Sequence, residues 1–457
     1  MASKKRRDVI RLDVSSEISV CIAASIQNMN LPLRCAILHY CPYKINCHKY
    51  RRKTPEKIAD SGGVFPFGHL CYAIPTMKSY TKDELKAMYV ARKEKLFAYM
   101  QENQISAVVF EDTEERRNPA VRYFSGHPCD ALLILSRDGQ AVLVPWDENL
   151  ARERALDCTI IPSNKFERNP IKAVKAVLAD FDIKGKQNVE IPPETPYPLF
   201  LKYVDALEGW DVRCRDKGIH DFVVQLRACK DEYEIECTKE AARIGDIIIE
   251  EIESKIKDGS IQNESDVALL IERECRKHGC ERTGFDTLAA GPNRSWAIHA
   301  FPGYTDAPWA TPGLSILDFG VVYEGYTSDT TVTVAKAPLS EAQEKLVALV
   351  ERAAEMALPL YQAGSPIRLA GKAAENVFAK AKKTMPHTLG HGIGLAIHEY
   401  PRVSGKIEAE QVFKPGMIVT LEPGLYDPKL GGVRLENDVL ITETGNEVIT
   451  HSKIIRC

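Results

Sequence analysis

The stretch at 315–334, reading SILDFGVVYEGYTSDTTVTV, constrains the fold of this chain most. Two apolar, β-branched runs flank Tyr323-Glu324-Gly325, the pattern of an antiparallel hairpin. Each run carries an aspartate. A turn centred between Tyr323 and Glu324 makes Asp318 and Asp329 direct cross-strand neighbours, with Cβ atoms about 5 Å apart. Like charges so placed repel and destabilise a sheet, so the pair predicts a neutralising agent, a shared proton or a metal ion. A second acidic pair follows the same logic. Residues 418–422 read as a strand stopped by Pro423-Gly424, and 433–442 as its antiparallel partner, which brings Glu422 near Glu436. Between the two pairs, His391 sits among glycines in TLGHGIG, where no neighbouring side chain packs around it. Four carboxylates and an imidazole form a donor set for a hard-to-borderline divalent ion such as Mn, Co, Fe or Zn. Four negative charges balance two such ions, so the predicted centre holds two.

Charge and apolar patterning narrow the class. The 457 residues carry 60 Lys and Arg against 63 Asp and Glu, a formal net charge of −3, which argues against a partner recognised through phosphates, so no nucleic acid is expected. No apolar run approaches the ~18 residues of a membrane helix, and no membrane association is expected. Thirteen cysteines, odd in number and irregularly spaced, do not form a disulfide framework; they read as reduced thiols in a cytoplasmic protein.

Three regions follow from composition and periodicity. Residues 1–60 hold 12 Lys and Arg against 5 Asp and Glu, and 1–76 read as a poorly structured or non-native extension. Cys35, Cys41, Cys47 and His48 in that segment have spacings too long for a common zinc finger. Residues 77–215 read as a compact α/β domain. Thr81 and Glu84 form a capping box ahead of Leu85, Met88, Leu96 and Met100 at helical spacing, and Asp138-Gly139 joins two apolar strands. Its titratable residues form no catalytic cluster, so its expected role is to cover or shape a site elsewhere. Residues 222–457 read as an α+β domain. A long helix is predicted from Leu226, with Cys237, Ala241, Ile244, Ile248, Ile252 and Ile256 on one face and Asp258-Gly259 as its stop. A second capping box, Ser340 with Gln343, opens another helix.

The ordered set Asp318, Asp329, His391, Glu422 and Glu436 resembles the metal ligands of the pita-bread metallopeptidases. The strings SDTT, GHGIGLAIHEYP, LEPGLY and RLENDVLIT resemble that family across 222–457. The string RYFSGHPCDALLIL resembles the smaller creatinase-type amino-terminal α/β domain of its prolidase and aminopeptidase P branch. The resemblance implies a pita-bread catalytic domain with Asp318 on one ion, Asp329 and Glu436 bridging, and His391 and Glu422 on the second. It also implies a shared hydroxide attacking an Xaa-Pro bond, with Glu422 passing the proton to the leaving nitrogen. His299, His387 and His398 match its substrate-binding and proton-handling positions. Arg402 is a candidate for the substrate carboxylate, and Arg434 for holding Glu436. Trp296 and Tyr304 are candidates for the pocket wall, although bulky aromatics more often fill cores. Two divalent ions per chain are implied, manganese first and then cobalt, zinc or iron, with short proline-containing peptides as substrates and a homodimer as the assembly. Two other readings share the fold: a metal-free creatinase-like amidinohydrolase and a non-catalytic peptide-binding module. Neither explains why all five ligands are present.

Overall fold

Thr81 opens the first helix of the described residues as its sequence predicts. Its hydroxyl accepts the Glu84 N–H, and the Glu84 carboxylate accepts the Thr81 N–H. The helix runs Lys82–Glu102. The computed structural model describes residues 78–181, 183, 187–408 and 410–457; the expected extension and its Cys35, Cys41, Cys47 and His48 lie outside them.

Six strands follow: β1 (Ala107–Asp112), β2 (Ala131–Ser136), β3 (Ala141–Pro145), β4 (Thr159–Ile160), β5 (Asn188–Glu190) and β6 (Asp211–Arg213), in the order β4-β3-β2-β1-β5-β6. The β1–β2–β3 pairs are antiparallel and the outer pairs parallel. Gly139, at φ +93°, turns β2 into β3 where Asp138-Gly139 predicts it. Both faces of this sheet are covered, which is why its strands are apolar on both sides. Phe110, Leu133 and Leu135 pack with Leu96, Met100 and Phe124 on one face, and Val109 and Ile134 pack with Val174, Val177 and Tyr203 on the other.

The helix expected from Leu226 is two helices. Ile219–Ala228 ends before Cys229, and Glu232–Lys257 starts afresh from Asp231, which forms a capping box with Glu234. The break belongs to tertiary pairing: the Lys230 N–H donates to the Gly416 carbonyl rather than continuing the helix. Asp258-Gly259 stops the second helix as expected.

The remaining strands are β7 (Arg282–Thr283), β8 (Leu288–Ala290), β9 (Gly313–Phe319), β10 (Val321–Tyr323), β11 (Tyr326–Thr327), β12 (Thr330–Lys336), β13 (Gly390–Gly392), β14 (Glu399–Val403), β15 (Ile418–Leu421), β16 (Gly424–Asp427), β17 (Gly431–Arg434), β18 (Asn437–Ile441), β19 (Asn446–Val448) and β20 (Ile454–Arg456). They make two main sheets, β20-β12-β9-β8 and β14-β13-β15-β18-β19. The helix Glu232–Lys257 and its neighbour Glu264–Lys277 back the first sheet, through Ile248, Ile252 and Ile271 against Leu317 and Val332. The helices Glu341–Ala357 and Ile367–Lys380 back the second, through Val350, Ala370 and Phe378 against Val419 and Val439. This is the α+β arrangement expected from the sequence, with an antiparallel bridge from Thr331 to Glu436 joining the two sheets.

The two acidic hairpins differ in register. The first turn centres on Glu324-Gly325, both at positive φ (46° and 89°), so Tyr323 pairs with Tyr326 and Asp318 faces Thr331, not Asp329. A two-residue slip preserves the face of every side chain, since the strand period is two, so Asp318 and Asp329 become diagonal neighbours instead of direct ones. The second register matches expectation. Ile418 pairs with Leu440, Leu421 with Asn437 and Gly424 with Arg434, which sets Glu422 opposite Glu436 across the interruption at Pro423.

Candidate metal centre

Asp329 stands where the hairpin ladder is interrupted. The Ser328 N–H donates to the Val321 carbonyl, but the Val321 N–H turns to the Ser328 hydroxyl, and Asp329 follows outside both strands. Its carboxylate reaches His391 on β13 and Glu436 just before β18; one donor atom from each of these three lies within 4.8 Å of the others. His391 Nε2 is 3.6 Å from Asp329 Oδ2 and 3.5 Å from Glu422 Oε1. Asp318, on β9, accepts from Arg434 Nη2 through Oδ2, and its Oδ1 is buried without a partner. All five residues line one cavity of about 1510 Å³.

β13 reaches this position because it is glycine-rich. A Cβ on Gly390 would lie 2.0 Å from the Thr420 carbonyl oxygen, and one on Gly392 would lie 2.3 Å from that of Tyr400. Only glycines let β13 pass between β14 and β15 and carry His391 into the cavity.

Arg434 holds Asp318 rather than Glu436, contrary to the sequence expectation. Glu436 Oε2 is already satisfied by the Thr331 hydroxyl at 2.7 Å, and Arg434 Nε donates to that same hydroxyl oxygen at 3.0 Å. The guanidinium therefore takes the carboxylate that has no hydroxyl neighbour. It also donates to the Tyr426 hydroxyl at 2.8 Å, which sits 3.0 Å from His387 Nε2.

Burial, followed by the charges of Glu436 and Asp318, holds the Asp329 carboxyl well above the usual carboxylate range. Burial and the charge of Glu436 do the same to Glu422, and burial with Asp318 pushes Glu436 up to about 8. His391 moves the other way: burial, then the neighbouring His398, pulls it down to about 4. A neutral His391 whose Nδ1 donates to the Gly392 carbonyl at 3.1 Å leaves the Nε2 lone pair facing the carboxylates. Buried acids with too few cations, an unpartnered carboxylate oxygen and a free imidazole lone pair are what a divalent ion requires of its ligands. The residues present fit such a centre.

The other predicted residues surround the same cavity. His299, His387, His398 and Arg402 all line it. The His398 ring lies edge-on to that of His391 at 4.4 Å, and Arg402 faces His391 across the β13–β14 pair. Burial lowers His387 to about 4 and also lowers His398. Tyr304 is 41% exposed and lines the cavity, whereas Trp296, 46% exposed, is neither core nor wall.

Sequence reasoning missed Thr331, Tyr426 and the clamp behind His398. Against burial, Arg227 and Lys230 hold the Glu399 carboxyl below its usual range, and Glu399 also accepts the Ala396 N–H at 3.0 Å. The clamp ties the His398 segment to the helix Ile219–Ala228. Its partners are some 170 positions apart, so no local pattern announces it.

The model of metallopeptidase family M24 matches residues 236–443. The Xaa-Pro dipeptidase of Pyrococcus furiosus is 30% identical over 366 residues, covering 79% of this chain and 98% of that relative. Among solved structures, the X-Pro aminopeptidase of Thermotoga maritima is similar at a TM-score of 0.69 and 27% identity, covering 80% of this chain and 99% of that one. The prolidase from Pyrococcus furiosus gives 0.66 and 28%, covering 78% and 99%. With five potential ligands converging in one cavity and likeness spanning nearly the whole of these relatives, the chain belongs to metallopeptidase family M24.

Proposed function

We propose that this chain is a metallopeptidase that hydrolyses the bond between an amino-terminal residue and a following proline, using two divalent ions held by Asp318, Asp329, His391, Glu422 and Glu436. The observation that carries this reading is the convergence of buried carboxylates on the neutral face of His391 within a cavity large enough for a peptide. In this reading Asp318 would hold one ion, His391 and Glu422 the other, and Asp329 and Glu436 would serve both. Ions so held supply a water deprotonated near neutral pH and a Lewis acid for the scissile carbonyl.

The chain's own residues do the rest. Glu422 receives the proton of the attacking water and returns it to the leaving proline nitrogen, a strongly basic amine that must be protonated to depart. His299 and His398 orient the substrate carbonyl, and His387 is held in place by Tyr426. Arg402, exposed to the cavity and without an ion pair among the described residues, takes the substrate carboxylate. A bond before proline has no N–H, so peptidases that read extended backbone handle it poorly. A site built on metal ligands and imidazoles does not need that N–H.

In this reading 222–457 form the catalytic part, 77–215 shape access to it, and 1–76 take no part in the chemistry. The covering role is supported by a second recess of about 260 Å³, in which Phe110, Asn118 and His220 share a wall with His398 and Glu399. Manganese is the first choice of metal, with cobalt, zinc or iron as alternatives, and a homodimer is the proposed assembly. No helix among the described residues is long and apolar enough to cross a membrane. The eight described cysteines are unpaired, which supports a cytoplasmic location. A metal-free amidinohydrolase or a non-catalytic binding module leaves the buried acids without counter-charge, and is not favoured.

The test is a matched pair, Ala-Pro against Ala-Ala, followed by Ala-Pro-Ala, each with Mn, Co and Zn. Ala-Pro should be cleaved far faster than Ala-Ala. Equal or faster cleavage of Ala-Ala would refute the proline assignment, and preference for Ala-Pro-Ala would move the reading from dipeptidase to aminopeptidase.

A further inference from the structure

Asp438 is an acid that none of the roles above uses. It lies on β18 opposite Thr420, is completely buried, and forms no ion pair among the described residues. Its Oδ2 accepts the backbone N–H of Asp329 at 2.9 Å, while its Oδ1 has no partner. The charges that bear on it come from Glu436 and Asp246, both acidic. Its own backbone is fixed on both sides: its N–H donates to the Thr450 hydroxyl at 2.8 Å, and its carbonyl accepts the Ile449 N–H at 2.9 Å.

Two features of this placement need an account. The Asp329 N–H falls where the β9–β12 ladder is interrupted, so it has no strand partner and Asp438 supplies the acceptor. A hydroxyl or an amide would accept that N–H equally well, and without the cost of burying a carboxyl that no cation pairs with among the described residues. A carboxylate there gains its advantage only when positive charge arrives nearby. Glu436 and Asp438, two residues apart on one chain, share a face directed toward Asp329.

We propose that Asp438 is a positioning residue of the metal centre: it fixes the backbone of Asp329 and adds negative charge behind Asp329 and Glu436, so that cation binding is strengthened at the expense of the metal-free protein's stability. This rests on the reading of Asp329 as a metal ligand. A merely structural carboxylate would have the opposite signature, lowering stability when replaced and leaving the affinity of the folded chain unchanged.

The experiment compares the full-length wild type with Asp438→Asn, which keeps an acceptor for the Asp329 N–H and removes the charge. Both are stripped of metal, titrated with Mn(II) by calorimetry, and melted in the metal-free state. Asp438→Asn should bind Mn(II) about 10-fold more weakly, the scale of partners that orient metal ligands. Its metal-free Tm should be no lower than that of the wild type. Unchanged affinity overturns the proposal, as does a lower metal-free Tm or a variant that fails to fold. If the wild type itself takes up no ion, the metal centre fails and Asp438's role with it; if the wild type binds and the variant binds equally, only the assignment of Asp438 fails.

Discussion

The amino-terminal sheet with its covering helices and the acid-lined cavity of the carboxy-terminal part bury charge in opposite ways. In the first, each of the principal buried charges finds its counterpart within the protein. Arg92 lies between the rings of Tyr89 and Tyr123 and pairs with Asp231 at 2.7 Å. Lys93 donates to the Asp157 carbonyl at 2.7 Å and pairs with its carboxylate at 3.0 Å. Asp112 receives Arg117 and the N–H groups of Asn118 and Asp130. In the carboxy-terminal part, Asp329, Glu436 and Asp438 are buried and Glu422 and Asp318 nearly so, and among the described residues the one ion pair that Arg434 makes with this set is to Asp318. Matched buried charge is architecture, since it is complete without a ligand. Unmatched buried charge awaits a counter-ion, which makes it the better pointer to chemistry.

Removing one charge from each set breaks the comparison in the most direct way. Asp329→Asn should abolish turnover and sharply reduce metal uptake, because the residue serves both ions. Its metal-free stability should be equal to or above that of the wild type, since one repelling carboxylate is gone. Full turnover of Asp329→Asn with added Mn(II) would sink the two-ion account. On the matched side, Arg92→Met strands Glu234 and Asp231 without their cation and should cost about 3–5 kcal/mol in urea unfolding. A cost below about 1 kcal/mol would mean that the pair is not the architectural element described here.

A smaller effect sharpens the contrast through pH. His220 is buried against Phe110 with ring centroids 5.0 Å apart, its Nε2 has no partner, and burial pulls its pKa down to about 3. The folded value lies below the unfolded value of about 6.5, so the unfolded chain binds the extra proton between them. Stability is therefore intact above about pH 6.5 and is lost as pH falls toward 3. By pH 5 this histidine accounts for about 2 kcal/mol of loss. His220→Phe should lose that much less than the wild type between pH 7 and pH 5, as measured by denaturant unfolding at each pH. Parallel losses would show that the buried imidazole is protonated without penalty.

The acids are visible in the sequence because carboxylates in β-branched, glycine-punctuated runs have no ordinary reason to be there. The capping boxes at Thr81 and Ser340 and the stop at Asp258-Gly259 are legible for a similar reason: each is decided within four residues. What is not legible is decided at longer range or by finer geometry. The Asp318 hairpin is displaced by two residues because Glu324 accepts a positive φ beside Gly325, a turn that residue type does not advertise. The Glu422–Glu436 register is legible because Pro423 and the turn at 428–430 fix it from both ends. Arg434's attachment to Asp318, Thr331's place between Arg434 and Glu436, and the Glu399 clamp all join residues about 100 or more positions apart. Periodicity carries no information about such pairs.

The central claim is that four of the unmatched acids, Asp318, Asp329, Glu422 and Glu436, are with His391 the ligands of two divalent ions. The most direct measurement is the metal content of the full-length chain after equilibrium dialysis against Mn(II), by elemental analysis with protein concentration determined in parallel. Two ions per wild-type chain, with a marked reduction in Asp329→Asn, is the predicted result. A folded wild-type chain that retains no ion would contradict the account.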